Sequence, residues 1–316
     1  MLLSEKIRSV EDLPDYTGVQ HEALALSPQG PKLNWRMAQH NGFSLYCEEY
    51  YSRIRFHEVQ HGDTVFLGLV LPNGEPVRFQ GTLYEDPFLV FWQGQKPTEY
   101  DYVAEAGTQI YLLEVPWLQV EKCGWATFKA PIRLSRSDAL NAYARCIEKW
   151  LCHKQTTADG TDAWMLNDIF ESLENLAGEF LYCAETQMAA EKAGHSQWKT
   201  VVAAEEYFSE NPAGTKLTVQ ELCRELGVSR RALFLAFEKQ LGVGPSKFQS
   251  IVQLHRLRSL LLESTYEKGV VSKLIGEAGF SHLGRTSVAY RQFFGETPIE
   301  TATRSQNKSG STSVQQ

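Results

Sequence analysis

Several features that mark whole classes of protein are missing from this sequence of 316 residues. Its six cysteines are scattered without paired spacing, which indicates reduced thiols rather than a disulfide framework or a metal knuckle. No apolar run approaches the length of a membrane span, and the N-terminus has no cationic flank before an apolar stretch. These absences argue against a small secreted scaffold and a membrane protein, and they favour a cytoplasmic one.

What the sequence does contain is enough apolar material for a sizeable core and a marked division of charge. Hydrophobic residues make up 43% of the chain and aromatic residues 11%. Residues 197–316 hold 15 Lys and Arg against 11 Asp and Glu, whereas residues 1–196 hold 16 against 27. The length predicts two domains, and the basic back part is the better candidate for binding a polyanion.

The front part has a strand-like pattern from about residue 42 to 120. Short segments rich in β-branched and aromatic residues alternate with turn signals such as Pro72-Asn73-Gly74. This spacing predicts six to eight strands in an antiparallel barrel or sandwich.

Helical periodicity follows over residues 137–153 and 162–192. Apolar residues in the second segment recur at alternating spacings of three and four, which predicts a seam along one side of a helix. That seam either packs within its own domain or forms a homodimer interface; its residues are Leu166, Ile169, Leu173, Leu176 and Phe180.

A break in the helical pattern at residues 193–197 suggests a linker, and residues 198–302 again have helical patterns. The polar end of the chain predicts a disordered tail. The predicted divisions are a domain over residues 1–195, a second over 196–303 and a tail over 304–316.

The clearest motif of the back part begins at Thr218, which with Glu221 forms a capping box that starts a helix. Gly227 suits the left-handed residue that ends this helix, and Ser229 can cap the next one. The second helix has an apolar face that contains Leu233 and Phe237. A short helix, a glycine turn and a serine-capped second helix are typical of a DNA-binding helix-turn-helix.

The same pattern returns about 50 residues later. Residues 271–278 predict a short helix, Gly279-Phe280 a turn, and Ser281 the cap of a second helix that ends at Gly295. A longer helix over residues 246–263 joins the two units. We therefore predict an α+β protein whose C-terminal all-α domain carries two helix-turn-helix units.

This arrangement resembles the AraC/XylS family of transcription regulators across residues 198–302. The stretches that carry the resemblance are Leu222-Cys223, Leu226-Gly227-Val228-Ser229-Arg230-Arg231, Leu241-Gly242-Val243-Gly244-Pro245, Gly279-Phe280-Ser281-His282-Leu283-Gly284-Arg285 and Phe294-Gly295-Glu296-Thr297-Pro298. Several of them look closest to the branch that regulates the ethanolamine operon.

The resemblance also implies a function for the front half and for the whole protein. The front half would be a sensor and dimerisation module built on a cupin-like β-barrel, and the protein would be an activator that binds promoter DNA and RNA polymerase. An amine or a cobalamin-type effector would fit the ethanolamine branch, and no cofactor is expected. Aromatic residues that could line an effector site are Tyr84, Phe91, Trp92, Tyr100, Tyr111 and Trp117.

Helical projection selects the side chains that would face DNA. On the first recognition helix these are Ser229, Arg230, Arg231, Phe234 and Leu235, with Arg231 gripping a base and Arg230 a phosphate. Phe234 could instead pack within the domain. On the second helix they are His282, Gly284, Arg285, Ser287, Val288 and Arg291.

One motif points to an enzyme instead. His57-Glu58-Val59-Gln60-His61 matches the zinc-protease pattern, which would make the front half a metal-dependent hydrolase. That chemistry needs a helix, because residues four apart on a strand lie about 13 Å apart. The motif occurs in a strand-like stretch, so we expect neither a metal site nor catalysis there.

Overall fold

The computed structural model describes residues 2–14, 19–40, 43–60, 64–93, 98–118, 132–133, 140, 143–149, 151, 191–210, 218–265, 267 and 269–311. The chain divides into two compact units. The first contains Met1–Ala23 and Pro31–Gly194, and the second contains Leu24–Gly30 and His195–Gln316. No helix in the described ranges is long and apolar enough to cross a bilayer.

Strands make up most of the described part of the first unit. In order they are β1 (Leu2–Ile7), β2 (Val19–Ala25), β3 (Leu33–His40), β4 (Phe43–Tyr50), β5 (Ile54–Gln60), β6 (Thr64–Leu71), β7 (Val77–Phe79), β8 (Thr82–Tyr84), β9 (Phe88–Gln93), β10 (Thr98–Ala104), β11 (Gln109–Pro116) and β12 (Ile132–Arg133). A 3-10 turn over Val10–Asp12 follows β1. Eight of these strands, β4 to β11, lie where the sequence predicted six to eight, while β1 to β3 were not foreseen.

The strands form two antiparallel sheets rather than a closed barrel. One has the order β1-β3-β4-β11-β6-β9-β12, and the other has the order β2-β5-β10-β7-β8. The mixed α+β class is confirmed, but the prediction of a cupin-like barrel is wrong. Barrels and stacked sheets share the same alternation of inward and outward residues, so the pattern along each strand does not determine whether a sheet closes.

A core rich in aromatic residues is built from both sheets. Phe56 of β5 stacks on Tyr102 of β10 with ring centroids 4.9 Å apart, and Tyr46 of β4 lies 6.3 Å from Phe66 of β6. All four side chains are buried. Offset and tilted ring contacts of this kind add to the free energy gained from burying the area.

The opposite face of β3 and β4 carries a polar cluster around Arg36. Its guanidinium lies 3.0 Å from the Glu148 carboxylate and 3.3 Å from that of Glu49, and it donates a hydrogen bond to Cys47 Sγ at 3.1 Å. Cys47, Glu49 and Glu148 have the ligand types and closeness of a metal site. The Arg36 guanidinium already supplies the positive charge that a bound metal ion would bring to these groups.

Apart from its segment Leu24–Gly30, the described part of the second unit consists mainly of helices. They are α1 (Glu191–Glu210), α2 (Val219–Glu225), α3 (Arg230–Leu241), α4 (Pro245–Glu263), α5 (Val270–Glu277), α6 (Leu283–Phe294) and α7 (Pro298–Ser311). The helix over residues 245–263 agrees with the predicted connector. Ile251, Leu257 and Leu261 of α4 pack in one core with Tyr290 and Phe293 of α6.

Two stretches differ from the sequence prediction. Residues 193–197 lie inside α1 rather than in a linker, and residues 304–311 continue α7 rather than forming a disordered tail. A capping box at Thr297 and Glu300 starts α7, and a helix that has begun adds further residues at little cost. The proposed dimer seam, which consists of Leu166, Ile169, Leu173, Leu176 and Phe180, lies outside the described residues.

A buried histidine completes the core of the second unit. His255 Nε2 lies 3.2 Å from the carbonyl oxygen of Ala25, and its ring makes edge contacts with Phe293 and Phe294. Burial and the nearby Arg258 charge together lower the pKa of His255 from 6.5 to about 4, although the contact with the Ala25 carbonyl raises it. His255 is therefore neutral in the folded protein at every pH above about 4.

This depressed pKa predicts a loss of stability in mild acid. Below pH 6.5 the unfolded chain binds a proton at His255 that the folded protein does not bind until about pH 4, so stability falls across that window. We expect His255 to contribute a fall on the order of 3 kcal/mol in the free energy of unfolding, measured by urea titration.

Two variants separate this contribution from general acid effects. His255→Gln should flatten the pH dependence, whereas His282→Gln, which removes an exposed histidine, should retain it. An unchanged slope in His255→Gln would show that another group is responsible.

Candidate nucleic-acid interface

The first helix pair, α2 and α3, has the turn chemistry that the sequence predicted. The Glu221 backbone N–H donates to the Thr218 hydroxyl at 3.2 Å, while the Thr218 N–H donates to the Glu221 carboxylate at 2.8 Å. Gly227 takes φ +65°, and the Ser229 hydroxyl accepts a bond from the Ala232 N–H at 3.2 Å. The capping box, the left-handed glycine and the serine cap are confirmed.

The second helix pair, α5 and α6, has the same left-handed glycine but a different cap. Gly279 takes φ +90°, and α6 begins at Leu283 with His282 as its N-cap, without a hydrogen bond from the His282 side chain. The prediction that Ser281 caps this helix is wrong, because Ser281 lies one residue before the cap position. Thr286 donates instead to the His282 carbonyl at 2.9 Å, inside the first turn.

One face of α3 is buried and the other carries the predicted DNA-facing residues. Leu233 and Phe237 are fully buried, whereas Ser229, Arg230, Arg231 and Leu235 are exposed. Arg231 forms no ion pair within the described part of the chain. Its guanidinium is thus available to a polyanion.

Phe234 lies at the edge of this surface and is only partly exposed. The Arg230 guanidinium lies 5.5 Å from the centre of its ring. A Cβ placed on Gly244 would come within 3.7 Å of the ring. Phe234 therefore contacts Arg230 and the turn before α4, and a contact of Phe234 with DNA stays a prediction.

The helix α6 shows the same division. Tyr290 and Phe293 are buried, and the predicted DNA-facing residues lie on the other side of the helix. A Cβ on Gly284 would meet no atom within 4 Å, so the backbone can approach a neighbouring surface closely. Ser287 is half-buried with its hydroxyl bonded to the Leu283 carbonyl, whereas the exposed members are His282, Gly284, Arg285, Val288 and Arg291.

Arg258 of α4 has a different environment. It is buried and forms an ion pair with Glu296 at 2.6 Å, as expected for a structural arginine rather than one that contacts DNA. Arg258 is therefore buried and paired, in contrast to the arginines that are exposed on α3 and α6.

The first unit contains a second possible site, a small cavity with an open mouth. It lies among strands of both sheets, and its walls combine aromatic and aliphatic side chains with two polar groups. The lining residues are Val19, Glu58, Gln60, Phe66, Tyr100, Tyr102, Ile110 and Leu112.

Among the aromatic residues that the sequence offered for an effector site, Tyr100 lines this cavity. Tyr84 stacks instead on Phe88 at 4.0 Å, and Tyr111 donates a hydrogen bond to Glu148 at 2.7 Å on the opposite face of its sheet. Trp117 follows β11 and is not in the lining, and the side chains of Phe91 and Trp92 lie outside the described residues. Strand alternation would have linked Tyr100 to Tyr102 and, across the pair, to Glu58.

The first residues of the zinc-protease pattern lie in a strand. His57 and Glu58 lie in β5 and point to opposite faces, with His57 Nδ1 3.4 Å from an Asp101 oxygen and Glu58 facing the cavity. His61 lies outside the described residues. The strand placement is as expected, and it separates the first histidine from the glutamate that a zinc protease would place beside it.

Known proteins resemble the back part of the chain. A family described as "Helix-turn-helix domain" matches residues 222–304. The probable thc operon regulatory protein of Rhodococcus erythropolis is 33% identical over 29% of this chain and 28% of its own length. The HTH-type transcriptional regulator ArgR of Pseudomonas aeruginosa is 38% identical over 30% of this chain and 27% of its own length.

A solved structure covers a slightly larger share of the chain. It is that of a probable AraC family transcriptional regulator from Rhodopseudomonas palustris, 31% identical over 34% of this chain and 97% of that one, with a TM-score of 0.30. The assignment to a family is therefore based on sequence identity and not on this structural similarity. The similar region spans little more than a quarter of the two curated relatives, and these relatives do not confirm the ethanolamine-operon branch. By its C-terminal part, the chain belongs to the AraC family of helix-turn-helix transcriptional regulators.

Proposed function

We propose that the whole protein is a sequence-specific DNA-binding regulator of transcription. The observation that carries this proposal is the pair of surfaces on α3 and α6. Each follows a glycine turn, buries its apolar face and exposes arginine on the other face. An exposed guanidinium at the start of a helix can reach a guanine edge in the major groove with two hydrogen bonds.

The two pairs are proposed to act together as two helix-turn-helix units. Helix α4 runs for 19 residues between them, and the core that it shares with α5 and α6 makes it a rigid connection. If both units dock on one side of the duplex, each half-site contains two contacted segments about 10–10.5 bp apart. Arg231 and Arg285 contact bases in this arrangement, and Arg230 contacts a phosphate. His282 and Arg291 supply further contacts to the DNA.

The first unit is proposed to sense a small molecule and to form a homodimer. The cavity between its sheets supports the first role, because small-molecule sites are concave and mostly apolar with a few polar groups. The dimer rests on the periodic seam over residues 162–192. Relatives named as transcriptional activators of the XylDLEGF operon in Pseudomonas putida favour activation, with RNA polymerase as the partner. We propose that these roles are carried out in the cytoplasm.

A fluorescence-anisotropy titration tests DNA binding directly. The full chain is titrated against DNA from upstream of its own and neighbouring genes, at several salt concentrations and with unrelated DNA as competitor. We expect binding that survives the competitor, with a footprint of two segments per half-site. Binding that ignores sequence and collapses with salt would reduce the interaction to attraction to phosphates and contradict the proposal.

A further inference from the structure

The cavity of the first unit presents hydrogen-bond acceptors to whatever enters it. Gln60 is 1% exposed, and its side-chain amide donates to the Thr64 carbonyl at 2.9 Å. The side-chain oxygen of Gln60 is also buried, and it has no hydrogen-bond partner among the residues that the structure describes. A buried acceptor without a partner costs about 1–3 kcal/mol, so a donor that reaches it is favoured.

Glu58 is the second acceptor, and the one that carries a negative charge when it is ionised. Tyr102 donates a hydrogen bond to Glu58 Oε1 at 3.0 Å, which leaves the carboxyl with further acceptor capacity. None of the cavity's lining residues among those described is basic. His57, the next residue along β5, points to the other face and lies against Asp101.

The groups that face Glu58 make its negative charge costly. Glu48 of β4 is buried and accepts a hydrogen bond from Tyr50 at 2.5 Å. Burial and, after it, the Glu48 charge raise the pKa of Glu58 to about 8. Tyr100 and Tyr102 face it from β10, and β6 and β11 contribute the apolar Phe66, Ile110 and Leu112. On β2, His21 lies on the same face as the lining residue Val19.

The remaining walls fit an apolar body with a positive end. Phe66 and the tyrosine rings offer faces that attract a cation, and Ile110 and Leu112 offer aliphatic surface. A ligand that is complementary to all of these groups has N–H donors, a positive charge and a small hydrophobic group. A carboxylate ligand would meet the Glu48 charge, an amide oxygen and, once Glu58 is ionised, a second negative charge, all of which repel it.

We propose that this cavity binds a small primary ammonium compound with an alkyl or aryl group, with Glu58 as its counter-ion and the Gln60 amide oxygen as a second acceptor. The inference deepens the proposed sensing function and depends on it for its biological meaning. The binding itself is separate from DNA recognition, so the two can fail independently.

Binding of such a cation is coupled to loss of the Glu58 proton. A charged amine binds the ionised carboxylate, and the ionised fraction increases about tenfold per pH unit below a pKa of about 8. The apparent affinity should therefore increase with pH and level off above about 8. A neutral ligand that accepts a proton from Glu58 would show the opposite trend.

The test uses isothermal titration calorimetry on the full chain without DNA. The probes are benzylamine, benzyl alcohol and benzoate, which share one ring and differ in the charge of the polar end. We expect benzylamine to bind at least tenfold more tightly than the other two, with a proton released on binding. Equal or tighter binding of the alcohol or of benzoate, or no binding of the amine, would overturn the proposal.

Two variants test whether the Glu58 carboxylate is the counter-ion of the bound amine. Glu58→Gln keeps the shape and the acceptor for Tyr102 but removes the charge, and it should weaken benzylamine roughly tenfold or more and abolish the pH dependence. Glu99→Gln removes an exposed carboxylate from β10, one residue before Tyr100 and on the opposite face, and should bind the amine like the parent chain. Equal affinity in Glu58→Gln and the parent would assign the binding elsewhere.

A final experiment distinguishes failure of the ligand proposal from failure of the proposed function. The anisotropy titration is repeated with saturating benzylamine. Amine binding that depends on Glu58 but leaves DNA affinity unchanged would support the ligand class and count against the sensing role. Sequence-specific DNA binding combined with an empty cavity at high amine concentration would support the regulator and overturn the ligand class.

Discussion

Replacing both Arg231 and Arg285 by Ala is expected to weaken binding to the specific DNA site by about a hundredfold. The two guanidinium groups are exposed on α3 and α6 and form no ion pair within the described residues, so the protein loses no internal contact. A bidentate arginine–guanine contact contributes about 1–3 kcal/mol of discrimination, and about 3 kcal/mol for the pair corresponds to this loss. Anisotropy titrations with specific and unrelated DNA measure it.

The matched control replaces both residues by Lys. Lysine keeps the charge but lacks the planar fork, so the double Lys variant should retain unspecific, salt-dependent affinity and lose much of the preference for the specific site. If the double Ala variant lost affinity equally for all DNA, these arginines would contact phosphates and not bases. An unaltered titration would remove both from the interface.

The second large effect concerns stability. Glu296→Ala should lower the free energy of unfolding of the second unit by about 3 kcal/mol, because Arg258 then loses the carboxylate with which it is paired in the core. The Glu296 carboxylate also accepts bonds from Thr301 at 2.8 Å and from Arg304 at 3.1 Å. Urea unfolding followed by circular dichroism measures the change.

Arg304→Ala provides the comparison. It removes an arginine that pairs with the same carboxylate but whose side chain is 45% exposed, and exposed pairs contribute about 0–1 kcal/mol. A second comparison combines Glu296→Ala with Arg258→Met, which removes both charges and should recover part of the loss. Equal effects of Glu296→Ala and Arg304→Ala would mean that burial of the pair is unimportant.

Local chemistry explains why so much of the second unit could be predicted. A capping box, a left-handed glycine and an apolar stripe each depend on residues within four positions of one another. Thr218, Gly227 and Ser229 therefore revealed the first helix pair without knowledge of the rest of the chain. The same reasoning failed at Ser281 by one position, where the helix begins after His282 instead. Helix starts are the least well determined part of such a pattern.

The first unit depends on contacts between distant segments, and its site was largely missed. Tyr111 was offered for an effector site, yet its neighbours Ile110 and Leu112 line the cavity and Tyr111 faces the other way. Alternation shows that neighbours on a strand point to opposite faces, but it does not show which face is enclosed. Glu58 was noticed only as part of a zinc pattern, because nothing in its vicinity along the chain indicates burial.

The repeated glycines have a consequence for how such a protein can change over evolutionary time. Gly227 and Gly279 occupy corresponding turns with positive φ, and Gly242 and Gly295 close the two exposed helices in the same way. These backbone positions constrain the chain, while the outward side chains of α3 and α6 can be exchanged with little effect on folding. If both helices contact DNA as proposed, each can acquire a new target preference while the other keeps its own, and the promoters that the protein recognises can then change one contacted segment at a time.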